Sequence, residues 1–307
     1  MSRPIEVPLA PECSACIVSS LKTMIPLLTA EPNEQFEMFR LAYKRISEGY
    51  DKGLTPVVLS ISLYQELYTR AGVEDPYKQI KYESTKAALK TLPLIEERLR
   101  GLEGKEALDA SLAAAITGNV IDFNTAAHSP DLDRLVETFD EIRGEGFHID
   151  DTEALWSSLT SRTGDLMYLA DNAGEVLFDI PLVRLIRSLG WRVIYVVKGK
   201  PMINDATRED TTGTELETLA DIIDTGGWAH GVPMEWVSRE FLDAVRSADI
   251  VISKGQANIE TFPAIQQQTG VETYYVTRAK CPHISAAIGT EAGTNVVMRR
   301  TGHVVPK

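Results

Sequence analysis

The sequence predicts an α/β fold, a three-layer α/β/α domain with a mainly parallel sheet, preceded by an all-helical N-terminal lobe. Three observations carry that prediction. From Cys13 to about Arg162, apolar residues recur three and four positions apart between short polar breaks, which is the period of helices. After Gly164 the pattern changes to short β-branched runs, each followed by a turn and then a helical stretch. The length of 307 residues, with 44% apolar and 24% charged side chains, suits one enzyme-sized unit in two lobes around a sizeable core.

In the helical half, Phe36, Phe39, Tyr43 and Ile46 form one stripe, read as core packing because large aromatics are usually inside. Leu63, Tyr64 and Leu67 form a second, and the stretch from Ile80 to Leu102 a third, which Pro93 is expected to interrupt or kink. The strand candidates are 166–170, 192–197, 222–224, 249–253 and 273–277. Strands alternating with helices imply a sheet covered on both faces. The helical lobe is assigned to 1–110 and the α/β domain to 111–307, with the boundary between 105 and 164.

Charge narrows the function. The 44 acidic residues outnumber 31 basic ones, for a formal charge of -13, and no run of Lys and Arg interrupts the excess. A nucleic-acid partner is therefore not expected, because nonspecific binding to phosphate backbones needs a basic surface. An anionic metabolite would need a cation or a placed lysine to reverse that field locally. The first ten residues are polar and contain proline, and no run of about 18 apolar residues occurs, so a cytoplasmic protein without a membrane span is expected. Cys13, Cys16 and Cys281 are too few for a disulfide framework.

In an open α/β sheet, ligands bind beyond the carboxyl ends of the strands, so polar clusters there carry most weight. The first is Leu169-Ala170-Asp171-Asn172-Ala173-Gly174-Glu175. Asp171 and Asn172 can both turn an oxygen to a cation, Gly174 permits a tight turn with exposed amides, and Glu175 is a further acceptor. An Asx turn with a helix cap is the plainer alternative. The second cluster spans 196–207, where Asn204 and Asp205 offer hard oxygen ligands and Lys198 or Lys200 can offset substrate charge; a capped loop accounts for it equally. The third spans 252–258, where Lys254 leaves a strand that otherwise reads as buried, a position that favours a site over a core. Phosphate-loop, dinucleotide and serine-hydrolase signatures are all missing from the sequence, and the five histidines lie too far apart for a local zinc motif. Cys13 and Cys16 lie one helical turn apart and, with Cys281 brought near by folding, form a possible secondary thiol site for a metal or disulfide; separate buried thiols are the alternative.

Together these segments resemble the damage-control phosphatase family, in its prokaryotic branch. The resemblance runs nearly end to end, through Pro11-Glu12-Cys13-Ser14-Ala15-Cys16, Asp75-Pro76-Tyr77 with Lys81, Gly118-Asn119-Val120-Ile121-Asp122, the Asp171 cluster, Asn204-Asp205-Ala206-Thr207 with Asp210, the Lys254 cluster and Lys280-Cys281-Pro282. It implies hydrolysis of a phosphate monoester on a small metabolite, assisted by one divalent cation. Asp171, Asn172 and Asp205 are then expected to hold the metal and Lys254 to meet the phosphate, with Asn119, Gly174 and Lys198 in the pocket and Asp122 orienting water or accepting a proton. Oxygen-rich ligation favours Mg²⁺ or Mn²⁺, while Co²⁺ or Ni²⁺ follow from the resemblance alone. The nucleophile, water or Asp171, stays open at this level. Two other classes compete: a carboxyl methyltransferase using S-adenosylmethionine, and a noncatalytic thiol or metal-binding module.

Overall fold

The computed structural model describes residues 5–120 and 132–302. Three helices open the chain, α1 (Pro11–Leu28), α2 (Pro32–Asp51) and α3 (Pro56–Ala71). Each begins with proline in its first turn, where the missing N–H would have had no helical partner. Thr55 caps α3 by accepting the Val58 N–H, and Gly72 ends it in the left-handed conformation that glycine adopts without a Cβ penalty. The three helices close over a core that includes Leu21, Ile25, Ala42, Ile61 and Leu67. The expected α2 stripe is corrected here: Phe36 and Tyr43 are 74% and 55% exposed, and the buried face is Met38, Ala42, Ile46 and Gly49. Small residues on that face let α2 lie close to α3, where Leu59 fills the space a Cβ on Gly49 would take. Helix α4 (Lys78–Leu99) runs through Pro93 without a break.

Helices α5 (Gly104–Val120) and α6 (Leu132–Glu145) follow, then β1 (Ile149–Asp150) and α7 (Thr152–Ser161). The α/β repeat comprises β2 (Asp165–Leu169), α8 (Val176–Ser188), β3 (Arg192–Val197), short α9 (Arg208–Thr211) and α10 (Leu216–Leu219), and β4 (Asp221–Asp224). It continues through α11 (Arg239–Ser247), β5 (Ile250–Lys254), α12 (Gln256–Thr269), β6 (Glu272–Arg278), α13 (Pro282–Ile288) and β7 (Asn295–Arg300). All five predicted runs are strands of one seven-stranded sheet, in the order β1-β7-β6-β5-β2-β3-β4. Among the described strands, only the β6–β7 pair is antiparallel. The edge pair β1 and β7 had not been expected; β1 spans two residues, too few to show an alternation.

Side chains alternate between the two faces and build two cores. Leu166, Tyr168, Val193 and Tyr195 pack with α5 and α8 residues such as Leu112 and Phe178. Met167, Leu169, Ile194 and Val196 pack on the other face with Phe241 of α11 and Phe262 of α12. Helix α4 contributes Ala88 and Ile95 to the first of these, so the helical region is welded to the sheet. The sheet order places β3 and β4 on one side of β2 and β5 and β6 on the other. The chain therefore leaves β2 and β5 toward opposite sides of the sheet, which puts the topological switch point between their carboxyl ends.

Candidate active site

Leu169 at the end of β2 pairs in register with Ser253 on β5 and with Val196 on β3. The three clusters singled out in the sequence thus emerge side by side. Beyond β2, the chain bridges to the loop after β3: Asn172 and Asp205 form an isolated β-bridge, the Ala173 N–H donates to the Asn204 carbonyl at 2.9 Å, and the Ala206 N–H donates to the Asp171 carbonyl at 2.9 Å. Lys198 donates through its backbone to Ala206 at 2.8 Å. This ladder fixes Asp171, Asn172 and Asp205 relative to one another although 34 positions separate the two aspartates.

The carboxylates sit in a nearly dry environment. Asp171, Glu175, Asp179 and Asp205 are all buried, as are Lys198 and Lys254. Lys254 Nζ lies 2.7 Å from Asp179 Oδ1 and 2.9 Å from Glu175 Oε2. Asp179 also accepts the hydroxyls of Tyr168 at 2.7 Å and Tyr195 at 2.5 Å, two rings stacked across β2 and β3. Glu175 accepts Asn172 Nδ2 at 2.5 Å, which turns the amide oxygen of Asn172 the other way. Lys198 Nζ donates to the Ala170 carbonyl at 3.0 Å and stands 3.8 Å from Asp205 Oδ2. Asn258 from α12 ties this corner to the Lys254 and Ala170 carbonyls.

Four carboxylates thus face two ammonium groups, and the imbalance shows in their protonation. Burial first, then the neighbouring Glu175 and Asp205, push the Asp171 carboxyl up to about 8 against the pull of Lys198 and Lys254. Burial also drives Asp205 up to about 6, with Lys198 opposing and Glu175 adding to the rise. Burial disfavours the Lys254 ammonium, but Asp179 and Glu175 outweigh it and hold that group above its ordinary range. Burial likewise raises Asp179, against Lys254.

These positions revise several expectations. The Lys254 ammonium pairs with two carboxylates in the floor, counter-charges that a lysine this deeply buried requires. Gly174 is needed for close packing, since a Cβ there would come within 2.9 Å of the Ser84 Cβ and 3.0 Å of its carbonyl on α4. Gly255, at φ 88°, is a glycine whose role sequence reading missed. A Cβ on it would collide with the Asp171 carboxylate, so this backbone is the surface on which that side chain rests. Asp179 and Asn258 were also missed; Asp179 sits inside an apolar helix, VLFDIPLV, and that misplaced charge is the signal that could have found it. Lys200 is exposed, with its ammonium 5.6 Å from the Trp228 ring centre, and the two line a cavity of about 240 Å³ with Tyr68 and Glu74. The side chain of Asn119 and all of Asp122 lie outside the described residues.

The cysteines stay free thiols. Glu12 at the start of α1 lies 3.6 Å from His283 at the start of α13, which draws Cys13 and Cys16 toward Cys281. Burial raises the Cys13 thiol, its hydrogen bond from Ala10 opposes the rise, and the nearby Cys281 and Cys16 add to it. Among the described residues, no three His, Cys, Asp or Glu side chains converge as a ready-made metal cage, at the thiols or elsewhere. At the strand ends the donor set instead comprises two carboxylates and an amide, and Asp205 Oδ2 is buried without a hydrogen bond among the described residues. A buried carboxylate oxygen without a hydrogen bond, beside a second buried carboxyl and an amide, is a donor set that suits a hard divalent cation.

Buried acids and lysines thus gather at the reversal point of an α/β sheet, and sequence comparison identifies the kind of protein. Residues 9–296 match the damage-control phosphatase ARMT1-like domain, and the chain belongs to that family. It is 33% identical to a damage-control phosphatase of Pyrococcus horikoshii, over 94% of this chain and 96% of that protein. A damage-control phosphatase of Archaeoglobus fulgidus is 28% identical, over 94% and 98%. An uncharacterized protein of Methanocaldococcus jannaschii is 32% identical, over 96% of each chain. The crystal structure of a DUF89 family protein from Pyrococcus horikoshii superposes with a TM-score of 0.84 at 31% identity, covering 95% of this chain and 99% of that one. The family supports phosphatase activity. Among the described residues no helix is long and apolar enough to cross a membrane.

Proposed function

We propose that this phosphatase hydrolyses a small phosphate monoester with the help of one divalent cation, Mg²⁺ or Mn²⁺ by donor chemistry, held by Asp171, Asn172 and Asp205. The observation that carries the reading is the buried charge imbalance: four carboxylates against two ammonium groups leave a deficit that one dication fills. When bound, the cation supplies Lewis-acid polarisation of the phosphoryl group and lowers the pKa of bound water. The chain's own residues do the rest. Asp171 rests on the Gly255 backbone with its carboxylate held in place. Glu175, anchored by Lys254, holds the Asn172 amide nitrogen and so leaves the amide oxygen pointing away from itself. Lys198, with one firm donation to a carbonyl and its charge beside Asp205, is the counter-ion assigned to the phosphoryl oxygens.

Phosphate release from a panel of small phosphate monoesters, measured after chelation and again with Mg²⁺ or Mn²⁺ restored, tests this reading. Hydrolysis should vanish on chelation and return with the cation. Asp171→Asn and Asp205→Asn should each weaken Mn²⁺ binding, read by calorimetry, and depress turnover. Undiminished hydrolysis in excess chelator, or parent-like binding and turnover in both variants, would remove the cation from the mechanism.

A further inference from the structure

One face of α4 touches both loops that carry the aspartates. Lys81 is 4% exposed, and its Nζ lies 2.7 Å from Asp210 Oδ2, 3.4 Å from Asp75 Oδ2 and 3.4 Å from Thr207 Oγ1. The same Asp210 oxygen accepts the Thr207 N–H and hydroxyl, each at 2.8 Å. Thr207 in turn forms a β-bridge with Lys198, and the preceding Ala206 is bonded to Asp171. Lys81 therefore grips the segment bearing Asp205 from helix α4. One helical turn on, Ser84 of α4 abuts Gly174, in the segment bearing Asp171.

We infer that Lys81 is a positioning residue for the cation site: through Asp210 and Thr207 it sets the Asp205 loop against the Asp171 turn, which Ser84 holds from the same helix. This rests on the cation reading above. The physical basis is that a buried ammonium with three oxygen partners has one low-energy arrangement, so the loop it holds cannot relax when two acidic side chains repel each other across the site. An exposed ion pair cannot do the same, because water competes for both partners. The structure contains such a pair between the same elements: Lys78 of α4 lies 3.0 Å from Glu209, and both are largely exposed.

The test is Mn²⁺ binding by calorimetry, with thermal melting alongside, for the parent chain, Lys81→Met, Thr207→Val and Lys78→Met. Groups that orient metal ligands typically contribute about 10–100-fold in affinity. Lys81→Met is expected to weaken Mn²⁺ binding by about that factor, and Thr207→Val by the lower end of it, while Lys78→Met binds like the parent. If Lys81→Met fails to fold, Thr207→Val, which keeps every charge, decides the matter. A variant that melts lower yet binds Mn²⁺ with parental affinity shows a merely structural role and overturns the inference. A parent chain that takes up no Mn²⁺ overturns the cation reading beneath it, so the two failures are distinguishable.

Discussion

Replacing Lys254 by methionine keeps the side-chain length and removes one charge from the floor of the site. In the parent, that charge is shared by Asp179 at 2.7 Å and Glu175 at 2.9 Å, with all three side chains at most 2% exposed. Removing one partner of a buried ion pair costs about 3–5 kcal/mol, since the remaining charge has neither counter-ion nor water. Two circumstances limit the loss to that range although two carboxylates are orphaned. Asp179 keeps the Tyr168 and Tyr195 hydroxyls, and hydrogen bonds to a charged group contribute about 1.5–3 kcal/mol each. Each acid can also escape the penalty by taking up a proton. At about 2.1 cal/mol/K of unfolding entropy per residue, a chain of 307 residues loses roughly 1.5 °C of melting temperature per kcal/mol, so a loss of that order lowers it by roughly 5–8 °C. Burial already raises the Asp179 carboxyl, and the variant removes the Lys254 charge that opposes the rise, so the deficit should widen as pH rises from about 5 to about 8. Melting scans of parent, Lys254→Met and Lys254→Met with Glu175→Gln at both pH values provide the assay. The double variant, which removes one orphan, should recover part of the loss. A single variant that melts within about 1.5 °C of the parent at both pH values, less than about 1 kcal/mol, would show that Lys254 carries no buried ion pairs and refute the reasoning.

The metal-free protein should lose stability as pH rises from about 4, the ordinary carboxyl value, to about 8, because folded Asp171 keeps its proton up to about 8 and Asp205 up to about 6 while the unfolded chain has released both. Bound Mn²⁺ should flatten that slope, and a melting temperature that stays level or climbs over the interval without metal would contradict the assignment. Gly255→Ala places a methyl group into the Asp171 carboxylate at φ 88° and should abolish Mn²⁺ binding and depress turnover, whereas Gly289→Ala, at φ 81° with open space around it, should affect stability alone; equal metal affinities in the two would clear Gly255 of any role at the site. Replacing Cys13, Cys16 and Cys281 together by serine should leave metal-dependent phosphate release intact if the variant folds, and selective loss of the chemistry would move the thiols into the mechanism.

Much of this protein is written in local order. The strands are short runs rich in β-branched residues and bounded by turns, so β2 through β6 could be read directly, and the polar residues following β2, β3 and β5 could be singled out because a parallel sheet gathers its strand ends in one place. The family motifs along nearly the whole chain made the activity legible as well. What a linear pattern does not contain is which partner each charge finds. Lys254 reads as a residue facing a ligand until Asp179, 75 positions away, is seen to meet it in the floor. The α2 aromatics read as core until Ala42 and Gly49 are seen to take the inner face, since helical period specifies a stripe but not which stripe has a neighbour. Lys81 lies on a helix in the first half of the chain and acts on a loop 126 positions on. Sequence alone determined the fold class and the chemical types at the site, because both follow from short-range period and composition. Tertiary structure decided the pairing of charges, because burial makes each ammonium and carboxylate depend on whichever opposite group the fold brings within about 3 Å.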